Sequence, residues 1–384
     1  DTGFILNFGA DSSFAGNKTP QGNQDANSVG DFFYPVPSGF LALCTKSLDT
    51  PTVIPSENFN PVLYTGNGST QSITGVGFQP DFTWIKARED SYRHALYDAV
   101  RGVTKVLYSN LTDAEVTDAQ GLTAFGADGF SLGTTGNVNN STDAYVGWNW
   151  KAGGTASSNT NGSITSSVSA NPSAGFSIVS YTGTGANATV GHGLSSAPEM
   201  MIIKSRSDGS QDWGVYHTAL GPTKWVRLNL TSAEAVASNV WNDTAPTSSV
   251  FSLGSGGHLN GSNDTEIAYC FYSVDGYSKV GSYTGNGSTD GTFVHCGFRP
   301  AFVMIKKTSA TGNWPMTNNK VLGYNPDNNE LYANLSQVEA ASDSLDYLSN
   351  GFKLRRTSGE DNASGGTYIY MAFSEQPFKY SNAR

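Results

Sequence analysis

The chain repeats one short stretch three times. Tyr64-Thr65-Gly66-Asn67-Gly68-Ser69-Thr70 recurs unchanged at residues 283–289, and its opening pattern recurs as Tyr181-Thr182-Gly183-Thr184-Gly185. The three starts lie 117 and 102 residues apart, whereas solenoid units repeat about every 20–50 residues. Each repeat is therefore expected to be a small domain.

Four further landmarks follow each copy in the same order: a proline, an apolar run ending in Ile-Lys, an Asn-Leu-Thr/Ser triplet and a closing aromatic strand. They fall at Pro80, Pro198 and Pro300; Lys86, Lys204 and Lys306; Asn110, Asn229 and Asn334; and residues 145–150, 267–272 and 368–373. We expect the three lysines at equivalent strand ends. We also expect Ser131, Ser252 and Lys353 at one equivalent strand position.

Short β-branched and aromatic runs indicate strands in every repeat, and turn signals between them are typical of a sandwich. The sequence predicts an all-β fold of tandem antiparallel β-sandwiches with one two-turn helix, at Thr112–Ala119 and its equivalents. The expected division is residues 59–153, 179–279 and 280–384 for the repeats, with residues 154–178, rich in Ser, Thr, Asn and Gly, as an extended linker.

Composition excludes several classes of partner. The net charge is −10 and charged residues make up only 14% of the chain, so no basic surface is expected for nucleic acid. Cys44, Cys270 and Cys296 have no metal-ligand spacing. No apolar run is long enough to cross a membrane. Asp1 leads directly into an apolar stretch, and we expect the true beginning of the protein upstream.

One catalytic motif occurs, Gly129-Phe130-Ser131-Leu132-Gly133, but a nucleophile elbow requires a strand-to-helix turn that an all-β unit lacks. The five histidines are scattered, so no metal is expected at them. Loops ending at Asp143, Asp264 and Asp361 offer oxygen ligands for calcium, with solvated loops as the favoured interpretation. We therefore predict no catalytic residue, no metal and no cofactor.

An aromatic or histidine side chain follows each Ile-Lys strand at the same place: His94, Trp213 and Trp314. Tyr97 follows the first, and Tyr216 and His217 follow the second, so these six residues form the candidate glycan site. Sugars stack on aromatic rings and are oriented by a few polar groups. Packing in a hydrophobic cluster or an interface is the alternative, and it is the common fate of tryptophan.

The N-terminal part differs from the repeats. Asn7-Phe8-Gly9 and the run from Phe33 to Cys44 resemble the closing strands of a SPRY domain, which is itself a β-sandwich. We assign residues 1–58 to this segment. Because unpartnered strands cannot bury their faces, the rest of that sandwich must lie upstream or come from another subunit.

Taken together, the run Gly30-Asp31-Phe32-Phe33-Tyr34-Pro35-Val36-Pro37-Ser38-Gly39-Phe40, the Tyr-Thr-Gly-Asn-Gly stretches and the Gly-Phe-x-Pro-x-Phe-x-x-Ile-Lys signature at residues 77–86 and 297–306 resemble modular phage virion proteins. The resemblance implies concanavalin-like (jelly-roll, lectin-type) sandwiches in a tail fibre, spike or head decoration on the virion surface.

The resemblance also implies partners: other virion proteins, a host surface glycan, and further copies in a homo-oligomer, with a trimer favoured. The expected function is a non-enzymatic structural protein for host adhesion. The alternatives are a glycan-active hydrolase or lyase on a tail, which would need two carboxylates facing a groove, and a cellular surface adhesin or filament component.

Overall fold

A computed structural model of the chain describes residues 22–26, 28, 30, 32, 34–40, 53–321, 325 and 327–375. These residues fall into two compact units. In the first unit Asn23 and Phe32 form an antiparallel bridge. Of the SPRY-like strands predicted on residues 7–9 and 33–44, residues 7–9, 33 and 41–44, including Cys44, lie outside the described residues. Residues 34–40 are described and contain no strand. The 1–58 domain stays a prediction.

The second unit, residues 53–375, contains all three repeats and consists almost entirely of strands, which confirms the all-β class. A 3₁₀ turn at Pro55–Glu57 precedes the first strand. The first repeat contains β1 (Phe59–Thr65), β2 (Gln71–Thr74), β3 (Phe82–Ala87), β4 (Ala95–Asp98), β5 (Lys105–Tyr108), β6 (Val116–Thr117), β7 (Leu122–Gly126), β8 (Gly129–Leu132), helix α1 (Gly136–Asn139) and β9 (Ala144–Trp150).

The second repeat has two additional strands at its start. It contains β10 (Ser157–Asn159), β11 (Ser166–Asn171), β12 (Phe176–Thr182), β13 (Ala188–Gly191), β14 (Met200–Ser205), β15 (Gly214–His217), β16 (Lys224–Arg227), β17 (Ala235–Val236), helix α2 (Ser238–Trp241), β18 (Val250–Leu253), helix α3 (Gly257–Asn260) and β19 (Thr265–Phe271). The third contains β20 (Ser278–Thr284), β21 (Phe293–His295), β22 (Pro300–Lys307), β23 (Pro315–Asn318), β24 (Asp327–Tyr332), β25 (Ala340–Leu348), β26 (Gly351–Leu354) and β27 (Thr367–Ser374).

Each repeat has a main antiparallel sheet in which the closing strand lies between the strand that leads into the Gly-x-Gly loop and the Ile-Lys strand. The strand orders are β1-β9-β3-β4-β5-β6 in the first repeat, β10-β11-β12-β19-β14-β15-β16-β17 in the second and β20-β27-β22-β23-β24-β25-β26-β21 in the third. The smaller sheets β2-β8-β7 and β13-β18 lie beside the first two main sheets, whereas in the third repeat the main sheet continues into β21 and β26.

Both faces of each main sheet are buried, because alternate residues point to two different cores. In β3, Ile85 belongs to an apolar cluster formed within the first repeat, which we call its local core. Phe82 and Trp84 point the other way, into one central core to which all three repeats contribute. The three repeats are therefore not independent domains, because the second face of each main sheet is covered by residues of the other two repeats.

Three equivalent aromatic residues meet in the central core. Trp150, Phe271 and Phe373 lie near the ends of the closing strands, and their ring centroids are 6.5, 5.6 and 6.1 Å apart. This arrangement places an approximate threefold axis between the repeats. Aromatic pairs contribute about 0.5–1.5 kcal/mol each beyond their buried area, so the cluster favours association of the repeats.

The axis gives the unit two distinct ends. At the end with Trp150, Phe271 and Phe373 the chain enters and leaves the repeats, and Phe59 stacks on Phe373 at 4.8 Å. We call it the connection end. At the opposite end the strands run into the Gly-x-Gly loops at residues 66–68, 183–185 and 285–287, and we call this the loop end.

The repeats close into a ring through backbone hydrogen bonds in cyclic order. Glu115 of the first repeat donates its N–H to the carbonyl of Arg206 in the second (2.8 Å). Glu234 of the second donates to Thr308 in the third (3.0 Å), and Glu339 of the third donates to Arg88 in the first (2.7 Å). Each repeat therefore contacts both others, through three equivalent junctions.

Two sequence predictions are wrong. The helix predicted at Thr112–Ala119 is extended chain that includes β6, because its backbone bonds to β5 and across the junction rather than to itself. The linker predicted at residues 154–178 contains β10, β11 and the start of β12, and Val168 of β11 packs in the local core. Among the described residues no helix is long and apolar enough to span a membrane.

The predicted equivalences are confirmed. Lys86, Lys204 and Lys306 occupy the same place near the ends of β3, β14 and β22. The third positions of β8, β18 and β26 are filled by Ser131, Ser252 and Lys353.

The outer edges of β1, β12 and β20 are protected in three different ways. At equivalent positions, Pro61 has no N–H to offer, Ile178 lies opposite Ser169 of the covering strand β11, and the N–H of Val280 donates to Ser273 Oγ at 2.9 Å. An exposed row of backbone donors and acceptors is a template for pairing with another chain, and each repeat removes it by its own means.

Candidate functional site

All six residues of the candidate glycan site are buried. Their exposed fractions are 0% for His94, Trp213 and His217, 1% for Tyr97 and Trp314, and 3% for Tyr216. A sugar cannot stack on a ring that water does not reach, so these side chains do not form a glycan surface as they stand. His94, Trp213 and Trp314 lie at the three junctions.

Trp213 joins the second repeat to the first. Its indole Nε1–H lies 3.0 Å from the carbonyl of Tyr108 and 3.1 Å from that of Leu111, and donates to both. Its side chain packs in the central core. The ring thus fills apolar space and satisfies buried carbonyls of another repeat at the same time.

Trp314 does the same at the second junction, and His94 is buried at the equivalent place in the third, where its Nε2 makes no hydrogen bond. The Nε1–H of Trp314 donates to the carbonyl of Arg227 in the second repeat (2.9 Å). The His94 ring faces the backbone carbonyls of Tyr332 and Leu335 in the third. The interface alternative is therefore correct for all three equivalent positions.

The Asn-Leu-Thr/Ser triplet has a role that sequence reasoning missed. The Oδ1 atoms of Asn110, Asn229 and Asn334 accept the backbone N–H of His94, Trp213 and Trp314 at 3.1, 3.0 and 2.9 Å. Each asparagine fixes the backbone that carries the junction side chain. The available signal was that the asparagine follows the junction residue in every repeat, 16 residues later in the first two and 20 residues later in the third.

Tyr97 and Tyr216 lie one residue before the ends of β4 and β15 and belong to local cores. The ring of Tyr216 meets that of Trp241 edge-on at 5.6 Å. The next residue in each strand, Asp98 or His217, accepts an N–H two positions on, at 3.0 Å from Val100 and 3.1 Å from Ala219. These four residues organise the fold beside the junctions.

The Tyr-Thr-Gly-x-Gly stretch builds the loop end. Tyr64, Tyr181 and Tyr283 each donate a hydroxyl hydrogen bond of 2.7 Å to a carbonyl of the loop before the closing strand. The first glycine has no room for a side chain, since a Cβ at Gly66 would lie 2.0 Å from the carbonyl oxygen of Asn140.

A buried asparagine completes each loop. In the second repeat, Asn260 Oδ1 accepts the N–H of Thr184 (2.8 Å) while its Nδ2 donates to the carbonyls of Ala186 and Gly254 (2.7 and 2.8 Å). Asn139 and Asn362 make the corresponding contacts in the other repeats. The repeated stretch is thus a structural motif that ties two loops together.

Lys86, Lys204 and Lys306 are fully buried, which is unusual for lysine. The Nζ of Lys86 donates to the carbonyls of Ala87 and Asp90, and that of Lys204 to those of Ser205 and Asp208. Burial lowers the pKa of each ammonium to about 8. These amines are solvent-inaccessible and held by backbone oxygens, so they are not exposed nucleophiles.

Glu266 departs from the repeat pattern. It occupies the place of Tyr145 and Tyr368, whose hydroxyls accept the N–H of Asn140 and Ala363 (2.8 Å each). Glu266 is fully buried, and burial raises the pKa of its carboxyl to about 9, with Asp264 adding to the rise. The group is therefore a neutral acid at pH 7.

The other sequence candidates have structural partners. Ser131 lies within β8, with its Oγ 3.1 Å from Ser72 Oγ, rather than on a turn between a strand and a helix. Asp143 accepts from Asn140 Nδ2 (2.8 Å), Asp264 from Ser207 Oγ (3.1 Å), and Asp361 pairs with Arg356 (2.8 Å). In the part of the chain that the structure describes, no three His, Cys, Asp or Glu side chains are grouped to hold a metal ion.

An open groove of about 370 Å³ lies where β10 and β11 extend the second sheet. Its lining consists of Ser158, Thr165, Ser166, Ser167, Ser180, Tyr181, Thr182 and Thr265. Ser158, Ser167 and Ser180 are cross-strand neighbours and so share one face. The segment expected to be a linker thus gives the second repeat a surface rich in hydroxyl groups.

Comparison with protein families gives a match to a domain of unknown function (DUF7483) over residues 54–377. The match spans all three repeats and most of the chain, which therefore belongs to this family. Neither a curated protein nor a solved structure matches the chain.

Proposed function

We propose that this member of the DUF7483 family is a non-enzymatic structural protein on the surface of a phage particle, where it contributes to host attachment. Its partners would be other virion proteins and a host surface glycan. The proposal includes assembly into a homo-oligomer, with a trimer favoured, and an extracellular place on a tail fibre, spike or head.

One observation carries the proposal: the residues that recur in all three repeats make structural contacts. The lysines, the junction residues His94, Trp213 and Trp314, and the tyrosine and asparagine of the loop end are buried or bonded within the fold. Recurrence of this kind favours a protein built for a durable shape. The sequence resemblance to modular phage virion proteins points in the same direction.

The surface composition also supports a role in adhesion. The chain combines 14% charged residues with abundant Ser, Thr, Asn and Gly, so much of its exterior is polar without being charged. Hydroxyl groups both donate and accept hydrogen bonds, as the hydroxyls of a neutral glycan do. The hydroxyl-lined groove is the part of the described surface that the following experiment probes.

The experiment has two readouts on particles from the producing host. Antibodies against the full chain should label intact particles in electron microscopy, and excess purified chain should slow adsorption of those particles to host cells. A Ser167→Trp variant fills the groove, whereas Asn161→Ala alters an exposed site outside it. Absence of the protein from purified particles would refute the virion assignment, and release of reducing ends from host polysaccharide would instead favour a glycan-active enzyme.

A further inference from the structure

Two buried histidines of other repeats face the third repeat, and the Nε2 atom of each is buried without a hydrogen-bond partner. His94 belongs to the first repeat and lies at its junction with the third, while His217 belongs to the second repeat and also faces the third. Both side chains are 0% exposed. His94 supports the proposed function only as one of the recurring junction residues, and the inference below does not rest on that function.

The hydrogen bond to His94 fixes where its proton is. The indole Nε1–H of Trp84 donates to His94 Nδ1 at 2.9 Å. Because an indole nitrogen can only donate, Nδ1 must be the unprotonated, accepting nitrogen. The ring is therefore neutral, with its proton on Nε2, which faces the carbonyls of Tyr332 and Leu335 in the third repeat.

The same reasoning applies to His217. The backbone N–H of Ala219 donates to His217 Nδ1 at 3.1 Å. The proton is again on Nε2, on the side of the carbonyls of Gly281 and Tyr370 in the third repeat. At both places a second proton would go onto Nδ1, and the hydrogen bond that Nδ1 accepts would then be lost.

Burial and one neighbouring charge oppose a charged ring at His94, whereas the facing carbonyls favour it. Lys86 on β3 is the charged group that acts on His94, and it disfavours a second positive charge. Trp148 on β9 lies parallel to the ring, with centroids 6.5 Å apart. Tyr332 is the titratable residue in the facing segment of the third repeat, and its hydroxyl is bonded to Glu330.

His217 is likewise set among groups that offer it no free carboxylate. On the strand beside it, β14, the preceding residue Glu199 directs its carboxylate to the N–H of Ser273 at 2.8 Å. On the facing strand β27, Tyr370 presents its backbone carbonyl, and on β20 Gly281 does the same. An imidazolium here would lose its hydration by burial, and this loss outweighs the favourable effect of the backbone carbonyls.

We propose that His94 and His217 together form an acid-sensitive joint, at which protonation of the two rings releases the third repeat from the first and second. The joint is asymmetric, because the junction between the first two repeats is held differently. At that junction Trp213 donates hydrogen bonds to two carbonyls. Asp98, which forms a buried ion pair with Arg101, accepts a hydrogen bond from the hydroxyl of Tyr269.

The direction of the pH effect follows from burial. Burial lowers the pKa of His217 from 6.5 to about 4 and the pKa of His94 well below 6.5. Since the unfolded or released chain takes up protons near pH 6.5 and the closed ring only at lower pH, the closed form keeps its full stability above pH 6.5. That stability is lost as the pH falls from 6.5 toward 4.

The third repeat itself supplies matched control variants. Asn318 is the equivalent of His217, and its Oδ1 accepts the N–H of Lys320 at 3.1 Å. Met304 and Trp314 are the equivalents of Trp84 and His94. The variants His217→Asn and Trp84→Met/His94→Trp therefore remove each titratable ring and install side chains that the same fold already accepts at that place.

The test is pulsed hydrogen exchange on the full chain. Protein equilibrated at a series of pH values between 7.5 and 4 receives a deuterium pulse at each of those pH values, with a pulse length scaled to the intrinsic exchange rate at that pH, and peptides are analysed by mass spectrometry. We expect peptides spanning Gly281, Tyr332 and Tyr370 to gain label at a higher pH than those spanning Tyr108 and Tyr269. When the variants are combined, the pH at which the third-repeat peptides reach half of their labelling should fall by about one pH unit.

Three results would overturn the proposal. One is wild-type protein that shows no increase in labelling down to pH 4. Another is that the peptides at all three junctions gain label at the same pH. The third is a midpoint unchanged in folded variants. The first two need only the wild-type chain, so the proposal can be refuted even if a variant fails to fold.

Discussion

Trp213→Ala is expected to destabilise the closed arrangement of the three repeats strongly. The side chain is 0% exposed, so its removal loses a large buried aromatic area and leaves a cavity in the central core. Such substitutions cost about 3–5 kcal/mol. The carbonyls of Tyr108 and Leu111 also lose their shared donor, which adds about 1–3 kcal/mol.

Trp213→Phe separates the two contributions. Phenylalanine keeps most of the apolar contact but cannot donate, so the expected cost falls to about 1–3 kcal/mol from the unsatisfied carbonyls. The measurement is the free energy of unfolding from urea titrations followed by far-UV circular dichroism and by tryptophan fluorescence. Adsorption of phage to host cells is measured in parallel with both variants as competitors.

The refuting result is specific. Suppose that Trp213→Ala unfolds at the same urea concentration as the wild-type chain but no longer slows adsorption to host cells. The indole ring would then be a surface platform, and its placement at the junction would be wrong. If stability falls by several kcal/mol and phenylalanine restores most of it, the junction role is correct.

Three further changes test other parts of the fold by urea unfolding. Asn260→Ala should cost about 2–4 kcal/mol because it leaves one N–H and two carbonyls of the loop end unpaired, whereas the exposed Asn161→Ala should change little. Gly66→Ala should cost about 1–3 kcal/mol through its 2.0 Å approach to the Asn140 oxygen; Gly257→Ala, with open space around the new Cβ, is the control, and equal effects would contradict the steric argument. Glu266→Gln should stabilise the chain increasingly as the pH rises from 4.5 to about 9, because a carboxyl with a raised folded-state pKa contributes stability at low pH that is lost through this window; a difference that does not depend on pH would mean that Glu266 is ionised in the fold.

The sequence was sufficient to predict the all-β class and the correspondence between repeats. Repetition supplied this information, since Lys86, Lys204 and Lys306 could be aligned without knowing what lies around them. The helix at Thr112–Ala119 was predicted from local capping preferences. It failed because the N–H of Glu115 bonds to Arg206, far away in sequence, and such tertiary contacts override local propensity.

The candidate glycan site failed for a related reason. Trp213 and Trp314 recur at the right spacing for a platform, but exposure depends on what covers them, and the covering residues belong to a neighbouring repeat. The composition of residues 154–178 was equally misleading. Ser and Thr are common in linkers, yet Val168 points inward while Ser167 points outward, which is the alternation of a sheet.

The separation of the connection end from the loop end also has a mechanical consequence. If the second unit were held at residues 53 and 375 and pulled at the Gly-x-Gly loops, the force would act on the sheets along their strands. Force in that direction shears the inter-strand hydrogen bonds together, whereas force across the strands would open them one after another. The closed ring would spread the tension over all three closing strands, so the unit is oriented to transmit a pull rather than to unravel under it.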